Sequence, residues 1–133
     1  MPFIVLLFFS RKAGISPEDF KAHFEKNHIP LIQSLAGNAF PVKHTRMYIT
    51  READANGDYP AQVIMGKQED FDYDAIAQME FEDAAAFYSF IGSRKDKEIL
   101  RALEEDDEKF SDPTKTKAVV LGEICVTMRG NQN

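Results

Sequence analysis

The sequence predicts an α+β fold in which four antiparallel strands carry helices on one face, in the ferredoxin-like order β-α-β-β-α-β. Two observations lead to this prediction. Four segments are rich in β-forming residues, and helical patterns separate the first strand from the second and the third from the fourth. Because 133 residues suit one hydrophobic core, we expect a single domain over residues 1–133.

The first strand is the apolar run FIVLLFF at Phe3–Phe9, which is typical of a strand buried on both faces. Seven residues are too few to span a bilayer. No charged segment precedes the run and no small-residue cleavage site follows it, so we expect no signal peptide and a cytoplasmic location.

The central helical pattern runs from Ser16 to Leu35. Ser16 is a favourable N-cap, and Pro17 suits the first helical position, where a missing N–H costs nothing. Pro30 removes a backbone donor further along, so we expect a break at 28–30 and a short second helix ending at Gly37. His28 stands at this break, either bonded to backbone or facing a cavity as a functional group.

The second predicted strand, Val42–Arg51, has an unusual alternation. If Met47 and Ile49 pack under the helices, then His44, Arg46 and Tyr48 point to the opposite side of the sheet. A strand face with these three residue types is either solvated or lines a polar pocket. We therefore treat all three as candidate site residues.

The connection from Glu52 to Asp70 is long enough to form a lid or a binding loop. Its fragment Asp54-x-Asn56-x-Asp58 does not continue as a calcium loop, so we predict no calcium there. The third strand, Phe71–Phe81, places its apolar residues on one face. Asp74, Ile76 and Gln78 lie on the other face and are candidate substrate contacts.

Two helices are predicted next, over Asp83–Gly92 and Asp96–Phe110. The acidic run Glu104–Glu108 indicates a solvated helix face, although Asp107 or Phe110 could close over a cavity. The fourth strand is predicted over Ala118–Met128. Glu123 shares a face with apolar neighbours there, so we expect it to be partly buried, with a raised pKa and a role in substrate binding.

Helices on one side leave the opposite face of the sheet uncovered. A second copy of the same sheet would cover it, so we predict a homodimer in which two sheets form an α/β barrel with a pocket in each subunit.

Charge and composition exclude several classes of partner and cofactor. The net charge of −6 argues against nucleic acid, and no basic run suits a membrane surface. The single Cys125 excludes an intramolecular disulfide and a cysteine-based zinc site. His23 and His28 are five residues apart, which does not match a helical metal pair, and no Gly-rich phosphate loop is present, so we expect neither a metal nor a cofactor.

The segment RKAGISPEDFKAHFEKNHIPL resembles EthD-type members of the dimeric α/β barrel superfamily. Further segments, LIQSLAG, FPVKHTRMYITR, FDYDAIAQMEF, DEKFSD and VVLGEICVT, resemble small fungal proteins of aromatic polyketide gene clusters. That group includes decarboxylases of anthraquinone-type acids such as atrochrysone carboxylic acid. Its relatives also carry out cofactor-free oxygenation, cyclisation, dehydration and isomerisation.

The resemblance implies a cofactor-independent decarboxylase acting on an aromatic polyketide acid, with His28 as acid or base. The alternatives are another cofactor-free reaction on a similar polyketide, or a polyketide-binding protein without activity. From strand facing, we expect Arg46 to hold substrate oxygens and Tyr48 and His44 to face the substrate. Tyr48 and one of the histidines would donate to the enolate oxygen, and His28 or His44 would deliver the proton. Asp74, Ile76, Gln78, Glu123 and Phe110 complete the predicted substrate contacts.

Overall fold

A computed structural model describes residues 1–130 and has the predicted ferredoxin-like topology. The four antiparallel strands are β1 (Phe3–Phe9), β2 (Lys43–Tyr48), β3 (Ala75–Phe81) and β4 (Lys117–Leu121), and their order in the sheet is β2-β3-β1-β4. The helices are α1 (Pro17–His23), α2 (Ile29–Ala36), α3 (Ala84–Gly92) and α4 (Lys97–Phe110). None of these helices is long and apolar enough to cross a membrane.

The central helix begins as predicted but does not break at Pro30. Ser16 Oγ accepts a hydrogen bond from the backbone N–H of Asp19 at 3.1 Å. A turn of π-helix, Phe24–His28, then joins α1 directly to α2, and the N–H of Ile29 reaches back to the carbonyl of Phe24. The predicted break is wrong because the wider π turn accommodates the proline ring without interrupting the helix.

The predicted facing of β2 is also wrong. In the register with β3, His44 lies opposite Met79 and Tyr48 lies opposite Ala75, and residues opposite one another share a sheet face. Met79 and Ala75 are buried under the helices, so His44, Arg46 and Tyr48 face the helix layer. The predicted alternation of the side chains is correct, but the two faces are exchanged. Tyr48 packs on the rings of α1 and the π turn, whereas Met47 is 42% exposed.

The strands β3 and β4 are shorter than predicted. Residues Gln68–Phe71 form a 3₁₀ turn, so β3 begins at Ala75. β4 ends at Leu121, which pairs with Ile4, and β1 has only Phe3 beyond that point. The segment after Leu121 therefore lacks a strand to pair with. Glu123 is exposed there, and its predicted burial is wrong.

The core lies between the sheet and the helices in two adjoining clusters. One packs Val5 and Phe81 against α3 and α4, and the other packs Phe20, Phe24 and Phe110 beneath the central helix. The alternation predicted for the third strand is confirmed over β3, where every second residue from Ala75 to Phe81 is buried. The gap between these packed elements forms the candidate site.

Candidate active site

A cavity of about 300 Å³ lies between the helix layer and the β1–β4 side of the sheet. This volume is at the lower end of the range for small-molecule pockets. Its wall is mostly apolar, and its aromatic and larger aliphatic lining includes Phe9, Phe24, Ile32, Met79, Phe87 and Phe90. The polar side chains that line it are His28, His44, Arg94, Asp107 and Thr116.

His28 is the buried titratable group of the cavity wall, with 4% of the residue exposed. The π turn places its ring against α4, where two consecutive carboxylates flank it. Nδ1 of His28 lies 2.8 Å from Asp106 Oδ2, and Nε2 lies 3.2 Å from Asp107 Oδ1. The ring of Phe110 packs beside it, with centroids 4.9 Å apart. A protonated His28 therefore finds a carboxylate oxygen at each nitrogen.

The acidic run on α4 is not wholly solvated, contrary to the sequence prediction. Asp106 is only 8% exposed because it occupies the core-facing stripe of α4. Sequence reasoning missed Asp106, although its spacing contained the signal: Leu103, Asp106 and Phe110 follow helical periodicity on one face. A carboxylate at a core position requires a buried partner, and the histidine provides it.

Asp107 and Arg94 are the charged pair at the cavity wall beside His28. Burial raises the pKa of the Asp107 carboxyl, while the nearby His28 and Arg94 oppose this shift. Burial lowers the pKa of the Arg94 guanidinium, which also lies over the Phe90 ring at 5.1 Å. Arg94 lies in the turn after α3, and the sequence pattern did not indicate it as a site residue, because one arginine in a polar turn carries no periodic signal.

His44 enters the cavity from β2 in a different electrostatic setting. Burial, and after it the positive charge of Arg46, lower the pKa of its imidazole from 6.5 to about 4. Arg46 Nη1 lies 2.9 Å from His44 Nδ1 and donates to it, so the neutral ring carries its hydrogen on Nε2. At neutral pH, His44 is an uncharged hydrogen-bond donor.

Arg46 and Tyr48 do not line this cavity, since both are engaged by Glu25 of the π turn. Arg46 donates from Nε to Glu25 Oε2 at 2.6 Å and from Nη2 to Oε1 at 3.0 Å, and the Tyr48 hydroxyl also donates to Oε2. These bonds lower the pKa of Glu25 and raise that of Arg46. Burial, with the Glu25 carboxylate, raises the pKa of Tyr48. The network thus holds β2 against the helix and aims Arg46 at His44.

Asp74 belongs to a separate ionic cluster. It accepts from the backbone N–H of Arg11 at 2.7 Å, and Arg51 Nε lies 2.8 Å from its Oδ1 as an ion pair without hydrogen-bond alignment. Arg51 also donates to the carbonyls of Tyr59, Phe71 and Tyr73, so the cluster ties down the loop after β2.

The remaining predicted substrate contacts lie away from the cavity wall. Ile76 and Gln78 point to the uncovered face of the sheet, opposite the buried Ala75 and Ala77 of the same strand. Phe110 is fully buried behind His28, and Glu123 is exposed beyond β4. Among residues 1–130, no three histidine, cysteine or acidic side chains converge in a way that could hold a metal ion.

Comparisons with known proteins agree with this architecture. The EthD domain matches residues 12–114. A crystal structure of an EthD family protein from Bacillus halodurans is 13% identical with a TM-score of 0.54, over 92% of this chain and 99% of that one. SnoaB, a cofactor-independent oxygenase from Streptomyces nogalater, is 14% identical with a TM-score of 0.51, over 94% of this chain and 95% of that one. No curated protein sequence matches the chain.

Proposed function

Because the chain belongs to the EthD domain family, we propose that it is a cofactor-independent enzyme that decarboxylates an aromatic polyketide acid of the anthraquinone or anthrone type. The observation that supports this proposal best is His28, a buried imidazole held between Asp106 and Asp107 at the wall of an apolar cavity. Such a group can deliver a proton to carbon inside a site that favours flat aromatic molecules.

The proposed reaction begins with the substrate carboxylate β to a ketone, or ortho to a phenol in its keto form. The bond between the carboxyl carbon and the ring carbon breaks, CO₂ leaves, and the electron pair becomes an enolate. The protonated His28 then transfers one proton to the ring carbon, which restores the neutral product. One proton is consumed in each turnover, and Asp106 holds the imidazole in place through Nδ1.

The other polar groups of the cavity complement the charges of this reaction. Neutral His44 donates from Nε2 to the developing enolate oxygen, because Arg46 occupies its Nδ1. Arg94 binds the carboxylate of the incoming acid at the cavity wall. In this proposal Arg46 and Tyr48 act through His44 and Glu25 and do not touch the substrate.

The test is CO₂ release from an anthraquinone-type carboxylic acid by the purified chain in the presence of a chelator. We expect a product 44 Da lighter than the substrate, and we expect His28→Gln to lower kcat/KM by about 10²–10⁴-fold, the usual contribution of a positioned proton donor. Ser34→Ala, at an exposed position on α2, is the matched control and should leave kcat/KM unchanged.

The product mass separates the competing reactions in the same cavity. Oxygenation adds oxygen and requires O₂, whereas dehydration removes water. Tight binding of the acid with no change of mass would identify a polyketide-binding protein. Each of these outcomes would refute the decarboxylase proposal.

We also propose that the chain works as a homodimer joined through the uncovered face of its sheet. This face is apolar along β1, at Ile4, Leu6 and Phe8, and it includes Val119, which is 51% exposed in a single chain. A second copy would bury this surface. Light scattering after size exclusion should give twice the chain mass, and Val119→Lys should give a monomer, while Tyr88→Lys on the exposed side of α3 should not.

A further inference from the structure

Asp106 is shared by two histidines. Its Oδ2 lies 2.8 Å from His28 Nδ1, and its Oδ1 lies 3.0 Å from His23 Nε2. The side chain of His23 is 18% exposed. One buried carboxylate therefore connects the cavity histidine to a histidine near the protein surface.

The hydrogen bonds around His23 fix its orientation. The Asn27 side-chain amide lies 3.2 Å from Nδ1 and donates to it, so the neutral ring of His23 carries its hydrogen on Nε2 and donates to Asp106. The ring of Phe110 stacks on His23 at 4.9 Å and packs against His28 at the same centroid distance. Both imidazoles are thus held against one carboxylate and one aromatic ring.

The charge of His23 changes what Asp106 offers to His28. When His23 is neutral, Asp106 keeps its full negative charge and stabilises the proton on His28. When His23 is protonated, its positive charge offsets that of Asp106, and His28 releases its proton more readily. The two rings do not need to exchange a proton for this effect, since the interaction is electrostatic.

Other titratable and charged groups also face His28. Within residues 1–130, none of them contacts Asp106 from the side near the protein surface, where His23 lies. Asp107 of α4 faces Nε2, with Arg94 beside it, and His44 faces His28 from β2. Among the described residues, Asp106 is the one carboxylate whose oxygens contact both histidines.

We propose that His23 is a positioning residue, whose charge, acting through Asp106, sets how firmly His28 holds the proton delivered in the cavity. The catalytic part of this inference rests on the proposed function. The electrostatic part does not, because the titration of His28 can be followed without any substrate.

The test compares a fixed neutral side chain, His23→Gln, with a fixed positive one, His23→Arg. Two-bond ¹H–¹⁵N spectra of uniformly labelled protein follow the ring nitrogens, and His28→Gln assigns the His28 signals. We expect the titration midpoint of His28 to be lower in His23→Arg than in His23→Gln by about one pH unit, as expected for one added charge across a shared carboxylate. The basic limb of the kcat/KM profile should move in the same direction.

The control changes charge nearby without touching Asp106. Lys26→Gln removes one positive charge from an exposed position of the π turn and should leave the His28 midpoint in place. If His23→Arg does not fold, as judged by circular dichroism, His23→Lys replaces it.

Equal midpoints in folded His23→Gln and His23→Arg would overturn the proposal, as would a shift of equal size in Lys26→Gln. The proposed function fails in a different way. If the wild-type chain releases no CO₂ while the two midpoints still differ, the decarboxylase assignment is wrong and the coupling of the histidines stands.

Discussion

His44 should make the stability of the protein depend on pH in a defined window. The imidazole is held neutral in the folded chain because burial, and then the charge of Arg46, lower its pKa from 6.5 to about 4. In the unfolded chain the same ring protonates near pH 6.5. The unfolded state therefore binds more protons between these values, and the free energy of unfolding falls as pH falls through the window. The perturbation that tests this is His44→Gln.

The size of the effect follows from the two pKa values. A group whose pKa changes from 6.5 to about 4 on folding lowers the free energy of unfolding by about 2 kcal/mol as the pH falls from 7 to 5. By pH 4 the loss is about 3 kcal/mol. Above pH 7 the contribution is close to zero, because the ring is neutral in both states.

Urea unfolding of the wild type and His44→Gln at pH 7, 6, 5 and 4 measures this contribution. Carboxylates titrate in both proteins, so the difference between the two pH dependences isolates His44. We expect the wild type to lose about 2 kcal/mol more than His44→Gln between pH 7 and pH 5. If the two proteins lose the same stability over that interval, His44 is not held neutral, and its assignment as an uncharged donor is refuted.

Three further perturbations test how the site is supported. Phe110→Ala should lower the free energy of unfolding by about 3–5 kcal/mol, because the ring is fully buried, whereas Leu100→Ala, at a residue 40% exposed on the same helix, should cost far less in the same urea titration. Glu25 has a lowered pKa, so its contribution to stability is complete above pH 4.5 and is lost as pH falls through the lowered value; Glu25→Gln should remove this acid-dependent loss in unfolding curves below pH 4.5. Arg51→Ala should lower the free energy of unfolding by about 1–3 kcal/mol, because it removes one of the two arginines paired with the buried Asp74 and leaves only Arg11, and Arg51→Lys should recover part of that loss.

The fold was predictable because its signals are local and repeated. Apolar runs, helix caps and the alternation in β3 each specify an element without knowledge of the others. The π turn was not predictable from these rules, since Pro30 reads as a helix breaker in every local pattern. Whether the chain breaks or widens at that point depends on Phe20 before the turn and Ile29 after it, because both pack into the same core cluster.

The site was predictable in part. His28 and His44 were both identified, and both line the cavity. The alternation in β2 could not show which side of the strand faces the helices, because both sides carry polar residues. Asp106 was missed because its charged neighbours obscured its core-facing position. A buried carboxylate needs a hydrogen-bonding partner to offset the cost of its desolvation. Here one partner is His28, which is 78 residues away in the sequence.

The two cavity histidines have partners of opposite charge, so the two ends of the cavity differ electrostatically. Asp106 and Asp107 face the two ring nitrogens of His28, whereas burial and then the charge of Arg46 favour the neutral form of His44. A substrate whose negative charge moves from a carboxylate to an enolate oxygen is stabilised when that oxygen lies towards His44. In the proposed reaction, its reacting carbon then lies towards His28, the proposed proton donor. If the proposed reaction is right, the charges on α4 and β2 determine which face and which end of a flat substrate can react, although the cavity wall itself is mostly apolar.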